Sequence, residues 1–258
     1  MTKIIAVANH KGGVGKTVTS LNLAHALAVD GTSTVLLVDL DPHASLTNAL
    51  GFDEKELPVT LYDLLAGTTP EGAASRAIQP TSIPGVSLLP ASGTLAHLET
   101  QLAAKLNRER LLERVLRPLG DAYTFIILDC PPALGLLNTN ALTAAHEVLV
   151  PVSSEHMSVP VLRKFLETVE EVRHEVNPTL AVAGILVTKH EKTTHARQVL
   201  EGLRADFPYK IFDSVIPYSV RAKNSIAATQ SIFTYDPTSA VAEAYRSLTN
   251  EIAAHVQA

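Results

Sequence analysis

The sequence has no tryptophan, one cysteine and two methionines, and aromatic residues make up only 5% of its 258 positions. A lone Cys130 forms no disulfide within the chain and cannot build a metal site of several thiolates, which suits a reducing compartment. Long hydrophobic runs are missing too. No stretch reaches the roughly 18 apolar residues of a membrane span, and the N-terminal MTKIIAVAN lacks the apolar core of a signal peptide. No repeat, low-complexity tract or interdomain linker stands out. The expectation is a cytoplasmic protein with no membrane partner, a single domain over residues 1–258. Positive charge is scarce: 21 Lys and Arg against 26 Asp and Glu give a net charge of −5, so a globally basic nucleic-acid binder is not indicated.

Hydrophobic residues make up 46% of the chain and charged residues 18%, a composition for a compact core. Short apolar runs alternate with segments of helical spacing. Strands are expected at 3–9, 33–41, 85–92, 124–132, 146–152, 180–188 and 209–217. Helices are expected at 20–30, 60–65, 106–120, 159–176, 196–207 and 240–256. This alternation predicts an α/β fold, a mostly parallel twisted sheet covered by helices on both faces. The last helix carries Val241, Tyr245, Leu248, Ile252 and Val256 at helical spacing with Arg246 its one basic residue, which reads as a packing stripe rather than a lipid anchor.

Charge is uneven. Residues 186–225 hold seven cations (Lys189, Lys192, Arg197, Arg204, Lys210, Arg221, Lys223) against four acids, a basic region on an otherwise acidic molecule.

The run NHKGGVGKTV at 9–18 joins the first strand to the first helix. Gly12, Gly13 and Gly15 allow backbone N–H groups to converge on a phosphate, and the following helix adds its positive N-terminal end. In such a loop Lys16 reaches the β and γ phosphates and the Thr17 hydroxyl ligates Mg²⁺. His10 stands where the strict pattern begins with glycine, and Lys11 is a second lysine ahead of the glycines. Parallel sheets bind ligands at the C-terminal ends of their strands, where VLLVDLD and FIILDCPP also end in acids.

KGGVGKT with that extra lysine resembles the deviant Walker A motif of the ParA/MinD superfamily of P-loop ATPases. Together ANHKGGVGKTVTSLNLAHALA, VLLVDLDPHASLTNALG, FIILDCPPALGLLNTNAL and IPYSVRAKNS resemble the ParA (Soj-like) partition ATPases over nearly the whole chain. The resemblance implies an ATPase with ATP and Mg²⁺ as cofactors. The loop residues Lys11 to Val18, Val14 included, would hold the nucleotide, with Thr188 and Pro217 at its edge. Lys11 would cross a dimer interface to the partner's ATP, stabilising charge in phosphoryl transfer and making dimerisation depend on ATP. Asp41 would serve Mg²⁺ and the attacking water, Asp129 would be the Walker B acid, and Asp39 a supporting acid.

It further implies an ATP-dependent homodimer that binds double-stranded DNA nonspecifically through Arg221 and neighbours such as Lys189, Lys192 and Lys223, associates with the nucleoid, and is discharged by a ParB-like partner. With no long segment before residue 9, an N-terminal helix-turn-helix is not expected. The sequence departs from the family at Val18, which lacks a hydroxyl near the α-phosphate, and at His43, Ser45, Tyr218 and Asn224. A MinD-like membrane-surface ATPase and an ATP-dependent small-molecule synthetase are the alternatives on the same loop. An iron–sulfur electron carrier needs cluster thiolates that Cys130 alone does not supply.

Overall fold

The computed structural model describes residues 2–29, 31–69, 73–154 and 158–256, the side chains of 254–256 excepted. Among these residues β1 (Lys3–Val7), β2 (Val35–Asp39), β3 (Gln79–Pro80), β4 (Val86–Leu89), β5 (Phe125–Asp129), β6 (Glu147–Ser153) and β7 (Ala181–Thr188) form one sheet in the order β3-β4-β2-β5-β1-β6-β7. Every neighbouring pair is parallel except β3 with β4, which is antiparallel. The helices are α1 (Lys16–Ala28), α2 (Ser45–Ala49), α3 (Leu61–Ala66), α4 (Ala74–Ala77), α5 (Leu98–Gln101), α6 (Leu111–Leu116), α7 (Leu136–Ala144), α8 (Val159–Glu175), α9 (Thr194–Asp206), α10 (Val220–Ala227), α11 (Ile232–Tyr235) and α12 (Ala240–Val256).

The central strands read as unbroken apolar runs because both of their faces are buried. Successive residues enter opposite layers, as the two-residue period of a strand requires. Ala6, Leu36, Val38, Ile126 and Leu128 join one core with residues of α3, α6, α7 and α8; Ile5, Val7, Val35, Leu37 and Ile127 join the other with α1 and α12. Val241, Tyr245, Leu248 and Ile252 of α12 are at most 1% exposed, so the stripe is a packing surface; the side chain of Val256 lies outside the described residues.

The remaining elements form for local reasons. Thr60 and Asp63 make a reciprocal capping box at the start of α3, with Thr60 N–H donating to Asp63 Oδ2 at 2.8 Å, and Gly67 closes the helix at φ +77°. The helix expected over 106–120 is broken into the 3-10 turn Arg108–Arg110, α6, and a second 3-10 turn Arg117–Ala122. Pro118 opens that last turn, and its missing N–H and fixed φ favour a helix start over a helix interior. Helices α7 and α10 were not anticipated: each is short, nine and eight residues, with its apolar residues interleaved with Asn, Thr, Ser or Lys.

The strand expected at 209–217 is also not continuous. It keeps two isolated bridges, Ile211 to Ile185 of β7 and Pro217 to His190 just past the end of β7. Between them the Asp213 and Ser214 N–H groups donate instead to the Glu251 carboxylate of α12, at 3.1 and 2.8 Å. Phe212 lies over Gly184, where an added Cβ would stand 2.7 Å from its ring.

Glu251 therefore holds this edge segment to α12. Burial alone raises its pKa, but the Ser214 and Asp213 donors and Lys210 outweigh burial and hold it below the usual glutamate value. Its contribution is present above the ordinary glutamate range and is lost as pH falls through the lowered value. Glu251→Ala should lower stability by about 1 kcal/mol at neutral pH and flatten the acid limb, measured by urea unfolding at several pH values.

Candidate functional site

β1 lies between β5 and β6, where the chain reverses direction across the sheet, the position at which open α/β sheets bind ligands. The loop leaving β1 therefore opens between the C-terminal ends of its neighbours. In the register, Val7 and Asp39 both stand opposite Asp129, which brings the two aspartates to one spot.

The loop is held from both sides. Asn9, buried, donates from Nδ2 to Pro151 O at 2.7 Å and accepts the Lys11 N–H at 3.1 Å. The Thr188 hydroxyl, at the end of β7, lies 2.8 Å from Val14 O and 3.1 Å from Val152 O. Gly13 and Gly15 have φ of +73° and +86°, a conformation that side-chain-bearing residues avoid. Gly12 has no positive φ and is exposed beside Pro132. Gly15 is the N-cap of α1 and offers no side-chain cap, so the first N–H groups of α1 are left for a ligand.

Lys16 is buried, and its Nζ folds back to donate to Lys11 O at 3.2 Å, spanning the loop. Burial lowers its pKa, while Asp129, Cys130 and Asp41 oppose this. Asp129 is fully buried; its Oδ1 accepts from Ser20 at 2.9 Å, and its Oδ2 is buried with no hydrogen-bond partner. Asp39, also fully buried, accepts from the Thr47 N–H and hydroxyl, each at 2.8 Å, and from the Asp41 N–H at 3.1 Å. Desolvation raises both carboxyls, and each stands near another acid; Thr17, Ser20 and Lys16 pull Asp129 the other way. A cation at the orphaned Oδ2 relieves this conflict, and Thr17 beside it supplies the hydroxyl that Mg²⁺ takes in such sites, so these residues fit that ion.

Asp41 accepts from the His43 N–H and from its ring Nδ1, at 3.0 and 2.8 Å, which holds the turn after β2. It lines a cleft of about 700 Å³ with Gly12, Gly13, Gly15, Lys16, Thr17 and Val18 on one side and Pro217, Tyr218 and Tyr245 on another. Thr188, Lys189 and Lys223 line the same cleft. Lys11 does not: it lines a separate small crevice with Val14, Val161 and Leu162. The two lysines of the loop thus line different spaces.

The four cations expected on a DNA surface are divided. Lys189 and Lys223 border the cleft, Lys192 is exposed, and Arg221 is exposed while paired with Asp236 and 5.8 Å above the Tyr235 ring. Ser20, Thr47 and Tyr245 were missed from the sequence. Tyr245 sat within an apolar stripe, yet its hydroxyl is 3.2 Å from that of Thr19 in the loop helix. Ser20 lies one turn after Lys16, the spacing that signals a shared face.

A strand, a glycine loop with a buried lysine, a helix N-terminus without a cap and an acid with a free oxygen define a P-loop nucleotide-binding protein. Residues 2–182 match the family described as an AAA domain. The chain is 42% identical to the chromosome-partitioning ATPase Soj of Thermus thermophilus, covering 98% of this chain and 96% of that one. It is 39% identical to the sporulation initiation inhibitor protein Soj of Bacillus subtilis, covering 99% and 100%. The chain belongs to the Soj/ParA family of partitioning ATPases.

Among solved structures, cobyrinic acid a,c-diamide synthase from Mycobacterium smegmatis with bound ADP and magnesium superposes with a TM-score of 0.88 at 36% identity, covering 100% of this chain and 96% of that one. MinD from Pyrococcus horikoshii with Mg-ADP gives 0.79 at 27% identity, covering 100% and 99%. Residues 137–258 also match the family described as 4Fe-4S iron sulfur cluster binding proteins, NifH/frxC. Cluster chemistry does not fit: Cys130, the only cysteine, lies before that range, and burial pushes its thiol up. No helix among the described residues is long and apolar enough to cross a membrane.

His10 packs edge-on against Phe165 of α8, with ring centroids 4.8 Å apart, and burial, then Lys164 and Lys16, lower its pKa to about 4. It is neutral in folded and unfolded chains above the ordinary value. As pH falls from about 6.5 towards the lowered value, only the unfolded chain takes up the proton, so stability drops. His10→Gln should lose less stability than wild type between neutral pH and pH of about 5, measured by urea midpoints.

Proposed function

We propose that the chain is an ATP- and Mg²⁺-dependent DNA-segregation ATPase, one P-loop domain over 1–258 that alternates between monomer and nucleotide-sandwich homodimer. The observation that carries this is the separation of the two lysines, Lys16 buried across its own loop and Lys11 at a crevice outside the nucleotide cleft. The full-length similarity to Soj and ParA proteins supports the same reading.

Mg²⁺ would supply positive charge against the phosphates during phosphoryl transfer. Thr17, Asp41 and Asp129 would hold it, Asp129 as a carboxylate fixed by Ser20. The N–H groups from Gly13 to Val18 and the Lys16 ammonium bind the phosphates, and Val18 contributes its backbone alone. Asp41 orients the attacking water from the turn that Asp39 and Thr47 secure. Thr188 keeps Val14 in place, while Pro217 borders the nucleotide. Lys11 reaches the partner's phosphates, so ATP is the glue of the dimer.

In the dimer, Arg221 and Lys192, with Lys189 and Lys223 nearer the cleft, form a surface for double-stranded DNA without sequence preference, placing the protein on the nucleoid in the cytoplasm. Arg221 exchanges its bond to Asp236 for a phosphate. A ParB-like partner completes the hydrolytic arrangement and returns the protein to monomers.

The second reading, an ATP-dependent small-molecule synthetase, draws on the likeness to the M. smegmatis synthase. Hydrolysis stimulated by DNA and a ParB-like protein supports the first; dependence on a small carboxylate metabolite supports the second.

Lys16→Ala should abolish ATP binding in calorimetry. Lys11→Ala should keep ATP binding but lose the ATP-dependent dimer in light scattering, and a normal dimer would remove the trans role. Asp41→Ala should leave the ATP dimer persistent, with turnover lost. Arg221→Glu should weaken DNA binding in the ATP state and reduce its salt slope by about one per site.

A further inference from the structure

A groove of about 570 Å³ runs along α8 and shares no lining residue with the nucleotide cleft. Leu166 of α8 and Phe207 and Tyr209 of the turn after α9 give it an apolar floor, and Glu167, Glu171 and Glu175 line its edge. We propose that this groove docks a short Lys/Arg-rich segment with an apolar anchor, supplied by a partner protein.

The three glutamates are four residues apart, so they form one ridge on the helix. Like charges at that spacing destabilise a helix, and this ridge is not neutralised from within. Glu170 accepts from the Tyr209 hydroxyl at 3.0 Å and pairs with Arg173 at 3.1 Å, and Glu175 meets His174 at 2.8 Å. Among the described residues no cation pairs with Glu167 or Glu171, both exposed. Arg163 closes one end of the floor, 5.5 Å above the Phe207 ring. An acidic ridge beside a partly open aromatic floor repels nucleic acid and anionic lipid, and is complementary to a basic segment with a hydrophobic side chain.

Size agrees with this occupant. From Arg163 to Glu175 the helix rises ~18 Å, enough for three turns of a docked helix or about five extended residues. The glutamates point outward along one line rather than converging on a point, which suits successive cations of a peptide and not a single metal ion.

The test uses the full chain without nucleotide and a fluorescein-labelled twelve-residue peptide with lysines on one helical face and leucines on the other. Binding by anisotropy is expected at low salt and should weaken with added NaCl. Glu167→Gln with Glu171→Gln should weaken it by about tenfold, while a control of equal charge change, Glu56→Gln with Asp121→Asn, should not. Thermal melts confirm that both variants fold. A benzophenone at a leucine position should crosslink to Leu166, Phe207 or Tyr209. Equal loss in the control pair, no loss in the groove pair, crosslinks elsewhere, or groove crosslinks between two copies of this chain in place of peptide would each overturn the proposal. Because no nucleotide is present, a negative result here is separate from failure of the ATPase reading.

Discussion

Two fully buried carboxylates face each other at the ends of β2 and β5, and much of the site is arranged around the difficulty that this creates. Neither can keep its charge cheaply so far from water, still less with the other beside it. Asp39 is answered by Thr47, which donates to it twice and in turn accepts the Ala91 N–H, so that α2 and the end of β4 are tied to the strand edge. Asp129 is answered by Ser20 and by the nearby Lys16, and keeps one oxygen without a partner. The first acid is spent on structure, and the second keeps one buried oxygen unpartnered.

The far wall of the cleft is built differently. It comes from the segment after α9, which never becomes a full strand because the Glu251 carboxylate takes two of its N–H groups. That diversion brings Pro217 and Tyr218 to the mouth and starts α10 at Ser219, whose hydroxyl accepts the Ala222 N–H. A continuous edge strand would carry these residues along the sheet and away from the loop.

Much of this was legible in the sequence, and the limits have physical causes. Unbroken apolar runs such as FIILD announced buried parallel strands, and NHKGGVGKTV announced its loop, because both are local patterns. The acids at strand ends could be named, and the resemblance assigned Asp129 and Asp39 different roles, but their meeting could not be read, since register decides it. The segment 209–217 has strand composition and is interrupted by a carboxylate from α12, a contact no local window holds. Tyr245 was read as packing by its spacing, and it does pack; its hydroxyl's meeting with Thr19 belongs to tertiary geometry. The seven cations of 186–225 looked like one patch, yet loop folding sends Lys189 and Lys223 to the cleft and leaves Lys192 outside it.

The bond between Thr19 and Tyr245 also joins two distant parts of the chain. α1 precedes six of the seven strands in the chain, and α12, which covers its apolar side, follows all seven. The helix that carries the glycine loop is covered only once a residue 226 positions further along the chain closes over it.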